Sequence, residues 1–106
     1  MNQNKALSLI GIATKAGKTV SGEFSTEKAV RSGQAAVVVV SEEASDNTKK
    51  KFRNMCTYYK VPVYFYGTKT QLGAAMGKEF RASLAVVDSG LGSALEKQLS
   101  NGIERR

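Results

Sequence analysis

S-G-E-F-S-T-E-K-A-V-R-S-G-Q-A-A-V-V-V-V, residues Ser21 to Val40, reads as a strand end, a tight turn, a short basic helix and then a buried strand. Ser21 and Gly22 offer a helix N-cap or a turn that admits close approach of the backbone. Glu23 and Glu27 fall in or near the first turns, where negative charge suits the helix dipole. Lys28 and Arg31 share one helix face by their spacing, and Gly33 supplies a left-handed C-terminal stop. The run Gln34 to Val40 is continuously apolar and β-branched rather than alternating, the pattern of a strand covered on both faces. It is expected at the centre of a sheet. The helix before it either presents a basic face to a partner or is a solvated link between strands.

Outward from this stretch, helices alternate with short apolar strands. On the N-terminal side, Leu9, Ile12, Ala13 and Ala16 follow helical spacing within Asn4 to Ala16, and Lys18 to Ser21 is a brief strand. On the C-terminal side an acidic loop, Ser41 to Ser45, leads to a helix capped by Ser45, Asp46 or Asn47, with Phe52, Met55, Cys56 and Tyr59 on one stripe. Its other face carries Lys49, Lys50, Lys51 and Arg53, a run that reads as solvated surface. Val61 to Tyr66 is a strand with Pro62 at its start, where a missing donor does least harm. Thr68 or Thr70 caps a short helix through Leu72, Ala75 and Met76. Lys78 to Arg81 forms an exposed basic and aromatic loop, Ala82 to Val87 a last strand, and Leu91, Leu95 and Leu99 the inner face of a final helix. The tail from Asn101 to Arg106 is expected to be loosely held. The alternation predicts an α/β protein, a sheet sandwiched between helical layers.

A chain of 106 residues forms one domain, 1–106, with enough core to fold without metal or disulfide support. Its formal charge of +7 makes a polyanion the natural partner, because cations that neutralise phosphates release condensed counterions. Cys56 is the lone cysteine and histidine is absent, so neither a disulfide framework nor Cys/His zinc spacing is available within the chain. Cys56 sits on the apolar stripe and reads as core, not as a nucleophile. The N-terminal apolar run is too short to span a membrane and carries no convincing signal-peptide cleavage region, so a cytoplasmic protein is expected. Neither phosphate-loop nor dinucleotide glycine motif occurs, and no cofactor or metal is expected. Glu42, Glu43 and Asp46 lack a partner arrangement for acid-base chemistry, which argues against an enzyme. Tyr58 and Tyr59 invite base stacking, although adjacent aromatics at a helix end commonly serve packing.

Taken in order, G-E-F-S-T-E-K-A-V-R-S-G (Gly22 to Gly33), S-E-E-A-S-D-N-T (Ser41 to Thr48), V-P-V (Val61 to Val63) and L-G-A-A-M-G-K (Leu72 to Lys78) resemble the kink-turn RNA-binding ribosomal-protein L7Ae family. Within it, the chain resembles the small bacterial YlxQ-type members. The likeness covers nearly the whole chain. It implies a three-layer α-β-α sandwich around a small mixed four-stranded sheet, and a non-catalytic module that grips a sharply bent, internally looped RNA helix. Structured or ribosomal RNA is then the expected partner of a monomeric protein.

In that family the helix after the first strand usually begins G-x-N-E-x-x-K. Gly22 and Lys28 match this pattern, whereas Phe24 and Ser25 stand at the usual Asn and Glu positions. A phenylalanine cannot make the base-edge hydrogen bonds of an asparagine but can stack on an unpaired base; a serine offers only a short hydroxyl. The resemblance therefore places Gly22, Phe24, Ser25, Lys28 and Arg31 on one side of an RNA site. Lys78, Phe80 and Arg81 complete the other, the two cations clamping phosphates and Phe80 packing on an extruded base or ribose, unless its ring folds back onto the sheet. The rival reading is a protein-interaction module of the transcription or translation machinery that docks through the Phe24 and Phe80 surface. Binding to RNA that survives moderate salt separates the two.

Overall fold

A computed structural model describes the backbone of residues 2–104 and the side chains of residues 5–100. In chain order it contains α1 (Asn2–Lys15), β1 (Thr19–Ser21), α2 (Glu23–Arg31), β2 (Val37–Val40), α3 (Asp46–Tyr59), β3 (Val63–Phe65), α4 (Lys69–Ala75), β4 (Ser83–Val86) and α5 (Ser89–Glu104). The strands form one sheet in the order β1-β4-β2-β3. β4 runs antiparallel to both β1 and β2, and β3 lies parallel to β2 with Val38 opposite Val63. This is the expected mixed four-stranded sheet.

The valine run explains the layering. All of Val37 to Val40 are fully buried, and alternate side chains point to opposite faces. Val37 and Val39, with Leu84 and Val86 of β4, meet Ala6, Ile10 and Ala13 of α1, Leu72 of α4 and Leu95 and Leu99 of α5. Val38 and Val40, with Ala85, meet Ala29 and Val30 of α2 and Phe52, Met55 and Cys56 of α3. Helices thus cover both faces, the expected α-β-α sandwich.

The helix ends are set by local chemistry. Ser45 caps α3 by accepting from the Thr48 N–H at 3.1 Å. Thr68 and Gln71 form a capping box on α4, each side chain accepting from the other's backbone N–H at 3.0 and 2.9 Å. The Glu43 carboxylate also accepts from the Lys69 N–H at 2.9 Å, so the acidic loop serves the start of α4 as well as capping α3 through Ser45. At the end of α2, Gly33 and Gln34 donate to the carbonyls of Val30 and Ala29, the paired pattern of a Schellman stop.

α3 ends in the same way, but with a lysine in the left-handed position, Lys60 at φ 60°. Lys60 and Val61 donate to the Thr57 and Cys56 carbonyls. A side chain at such an angle is strained, and glycine relieves the strain at some cost in unfolded-chain entropy. Lys60→Gly is expected to raise stability by about 0.5–1 kcal/mol, read as a later urea midpoint with an unchanged slope.

Two expectations for helix faces are corrected. The buried stripe of α1 is Ala6, Ile10 and Ala13, whereas Ile12 is 53% exposed and Ala16 lies past the helix end. The winding that turns Ala6, Ile10 and Ala13 inward rotates Ile12 out. On α3, Phe52, Met55 and Cys56 are buried, but Tyr59 at the last turn reaches the surface and meets Tyr58 edge to face with ring centroids 4.9 Å apart. Against the expected loose tail over 101–106, the backbone continues α5 as far as Glu104, and residues 105 and 106 lie outside the described residues. Among the described residues, no helix is long and apolar enough to cross a membrane.

Candidate nucleic-acid interface

The β1–α2 junction and the loop between α4 and β4 lie side by side because β1 and β4 are paired. Ser21 stands opposite Leu84, and the Gly22 N–H donates to the Ser83 carbonyl at 2.9 Å. Gly22 then turns the chain into α2 at φ 90° and ψ 157°. L side chains rarely adopt that geometry, so the glycine is required by the turn. Helix α2 starts without a side-chain cap, leaving its first N–H groups near the chain reversal.

From there α2 presents Phe24, Glu27, Lys28 and Arg31 at helical spacing along one side, and with Ser32 they line a groove of about 440 Å³. Phe24 is 78% exposed. Ser25 is half-buried. The inner side is sealed by Thr26, Ala29 and Val30.

The expected pair of cations, Lys28 and Arg31, is split by the geometry. Arg31 bonds the Glu27 carboxylate at 3.0 Å, while Lys51 reaches across from α3 to Glu27 at 2.8 Å and Glu23 at 3.0 Å. Both Glu27 oxygens are therefore engaged, and the bonds from Lys51 and then Arg31 hold its carboxyl below the usual carboxylate range. The same contacts with Glu27 raise Arg31 and Lys51 above their ordinary values. Among the described residues Lys28 makes no ion pair, so its ammonium is the α2 cation available to an incoming anion. Of the α3 basic run, Lys51 ties α3 to α2 and Arg53 lies over the Phe65 ring, 5.0 Å from its centroid. These side chains do more than solvate a surface.

On the second segment, Lys78 is exposed and Phe80 is 60% exposed, so the ring does not fold back onto the sheet. Arg81 behaves differently. It is half-buried, its Nε donates to Ser21 Oγ at 2.8 Å, and an Nη donates to the Phe80 carbonyl at 2.7 Å. Its backbone N–H donates to the Lys69 carbonyl at 3.1 Å.

Gly73 of α4 is buried against this loop. A Cβ there would strike the Glu79 carbonyl oxygen and lie 2.6 Å from the Glu79 carbonyl carbon and 2.8 Å from the Phe80 nitrogen. The motif L-G-A-A-M-G-K contains this glycine, yet only the folded chain shows what it touches. Ser21 as acceptor for Arg81 and Lys51 as partner of α2 are likewise absent from any local pattern. The Glu27–Arg31 pair, by contrast, is an i,i+4 spacing visible in the sequence.

The rest of the chemistry is quiet. Cys56 is buried, and desolvation pushes its thiol up to about 11, the opposite of what a nucleophile needs. Among the described residues, no group of three or more metal-ligating side chains is gathered.

The chain as a whole is similar to known proteins. Residues 4–96 match the model of the ribosomal protein L7Ae/L30e/S12e/Gadd45 family. The RNA-binding protein YlxQ of Bacillus subtilis is 42% identical over 87 residues, covering 82% of this chain and 87% of that protein. A Bacillus halodurans protein of unknown function superposes with a TM-score of 0.88 at 38% identity, covering 91% of this chain and 97% of that one. A Giardia lamblia 15.5kD RNA-binding protein shares the fold at a TM-score of 0.80 and 20% identity, over 94% and 86% of the two chains. With a family match that runs from α1 into α5 and a relative above two-fifths identity over most of both chains, the protein belongs to the ribosomal protein L7Ae/L30e/S12e/Gadd45 family.

Proposed function

We propose that this chain, as a single domain over residues 1–106, is a non-catalytic cytoplasmic protein that binds structured RNA, ribosomal or kink-turn-like, as a monomer. The observation that carries the reading is the pairing of the β1–α2 junction with the α4–β4 loop. It ties Ser21 and Gly22, at the start of α2, to Arg81 and Ser83, and the two segments so joined carry the exposed Phe24 and Lys28 on one side and the exposed Lys78 and Phe80 on the other. The YlxQ relative's name as an RNA-binding protein supports the same reading, as does the net charge of +7.

Gly22 lets RNA backbone approach the exposed start of α2. Lys28 and Lys78 supply charge to phosphates, and Phe24 and Phe80 offer faces for unpaired bases. Arg31, satisfied by Glu27, sets the edge of the groove more than it attracts. A base held by stacking is read by accessibility rather than by its edge, so unpaired or extruded nucleotides are favoured over intact duplex.

The test is a titration against a kinked, internally looped RNA and a straight duplex of equal length across a salt series. Preference for the looped RNA that persists as salt rises is the expected outcome, and Lys28→Ala should flatten log affinity against log salt by about 0.7–0.9. An unchanged slope removes Lys28 from the site. Phe24 in the family's usual Asn position favours a second reading, a docking module for proteins of the translation or transcription machinery. That reading takes over if a protein partner persists after RNase treatment while purified RNA fails to bind.

A further inference from the structure

We infer that Arg81 is a positioning residue: it fixes the loop bearing Phe80 against the β1–α2 junction bearing Phe24, and so sets the spacing of the two aromatic faces before RNA arrives. The inference rests on the RNA-binding reading and assigns Arg81 a role other than phosphate clamp. A clamp needs guanidinium donors presented to solvent. Here Nε is committed to Ser21 Oγ at 2.8 Å and one Nη to the Phe80 carbonyl at 2.7 Å, with the side chain half-buried, so two of the five guanidinium N–H donors, and with them the orientation of the fork, are already fixed within the protein. Turning Arg81 outward to a phosphate breaks both bonds.

The Nε bond links two segments 60 residues apart in sequence, and the Nη bond holds the guanidinium against the backbone of its own loop. On one side, Ser21 ends β1 in register with Leu84, and the next residue begins the turn into α2. On the other, the Phe80 backbone lies against Gly73, and the loop is held to α4 by Lys78 N–H to Gly73 carbonyl at 2.7 Å and Arg81 N–H to Lys69 carbonyl at 3.1 Å. α4 and α2 lie on opposite faces of the sheet. At the ends of β4 and β1, Arg81 ties the loop after α4 to the last residue of β1, just before the turn into α2, through the planar fork of its guanidinium, whose donors diverge at fixed angles. Holding Phe80 in place in the free protein spares RNA the entropy of ordering that loop, which is how a residue that touches no nucleotide raises affinity.

The experiment measures RNA affinity and salt slope for the wild type, Arg81→Ala, Arg81→Lys, Ser21→Ala and Ser21→Thr, with a thermal melt of each. Positioning predicts a loss of about tenfold for Arg81→Ala with an unchanged salt slope, and a similar loss for Arg81→Lys, which keeps the charge but not the fork. Ser21→Ala reproduces the loss, Ser21→Thr retains affinity because the hydroxyl acceptor remains, and Phe80→Ala costs less when Arg81 is already alanine. A slope reduced by about 0.7–0.9 in Arg81→Ala, with Arg81→Lys near wild type and Ser21→Ala silent, overturns the proposal and makes Arg81 a phosphate contact. Should Arg81→Ala fail to fold, Arg81→Lys and the Ser21 pair decide alone. Failure of the wild type to bind any RNA overturns the RNA reading itself, a result distinct from all of these.

Discussion

Removing both exposed rings, Phe24→Ala together with Phe80→Ala, is expected to abolish measurable preference for looped RNA while the protein melts as before. Base-aromatic stacking contributes about 1–3 kcal/mol per base, so each single change should weaken binding by roughly 5- to 150-fold, the conversion being tenfold per about 1.4 kcal/mol. Stability should move by less than about 0.5 kcal/mol, because the rings are 78% and 60% exposed and few core contacts are lost. If the rings grip one base between them, the double variant loses less than the sum of the singles; if they hold separate bases, the losses add. Phe24→Leu sharpens the point. Leucine keeps an apolar side chain of similar reach but has no π face, so it should behave like alanine toward RNA and like phenylalanine toward an apolar protein pocket. Full RNA affinity in the double variant would remove both rings from the site.

Gly73→Ala should damage fold and site together. Alanine is the better helix former by about 0.8–1.0 kcal/mol, so propensity alone predicts stabilisation. The new methyl instead lands on the Glu79–Phe80 backbone. Backbone on both sides leaves no side-chain rotamer to absorb the overlap, and the loop must move. A net destabilisation of about 1–3 kcal/mol follows from overpacking of this kind, readable as a lower urea midpoint. RNA affinity should fall further than stability explains, since Lys78, Phe80 and Arg81 move with the loop. A stabilised Gly73→Ala protein with intact binding would show that the approach of loop to helix is not needed.

Much of the fold is legible in short-range patterns. Four successive valines with no alternation demand cover on both faces, and this fixes the centre of the sheet and the two helical layers. Gly33 after Arg31, Pro62 before Val63 and a hydroxyl ahead of α3 and α4 mark boundaries through backbone chemistry that acts over a few residues. Ile12 is less legible, because an apolar residue one step out of phase with Ala6, Ile10 and Ala13 looks like core until the winding is known. Tyr59 fails for another reason: it has the correct spacing but sits on the last turn, where its ring reaches the surface and meets Tyr58.

The site is less legible because its decisive contacts join distant segments. Phe24 and Lys28 announce themselves as an odd residue and an unpaired cation on a short helix. Arg31 has Glu27 at i,i+4 as a visible partner, but Arg81 looks free in the sequence, and the structure commits it to Ser21 and the Phe80 carbonyl. Charge counts locate a partner of opposite sign, but which cation meets it depends on what neighbours have already claimed the rest.

The edges of the sheet carry a consequence of their own. Both outer strands, β1 and β3, are only three residues long, and Pro62 precedes the second. Long flat edges offer unpaired backbone groups as a template for another chain, the first step toward ordered aggregation, whereas short edges beside a proline offer almost none. The unbound protein is thereby protected from templated self-association while its basic surface waits for a polyanion.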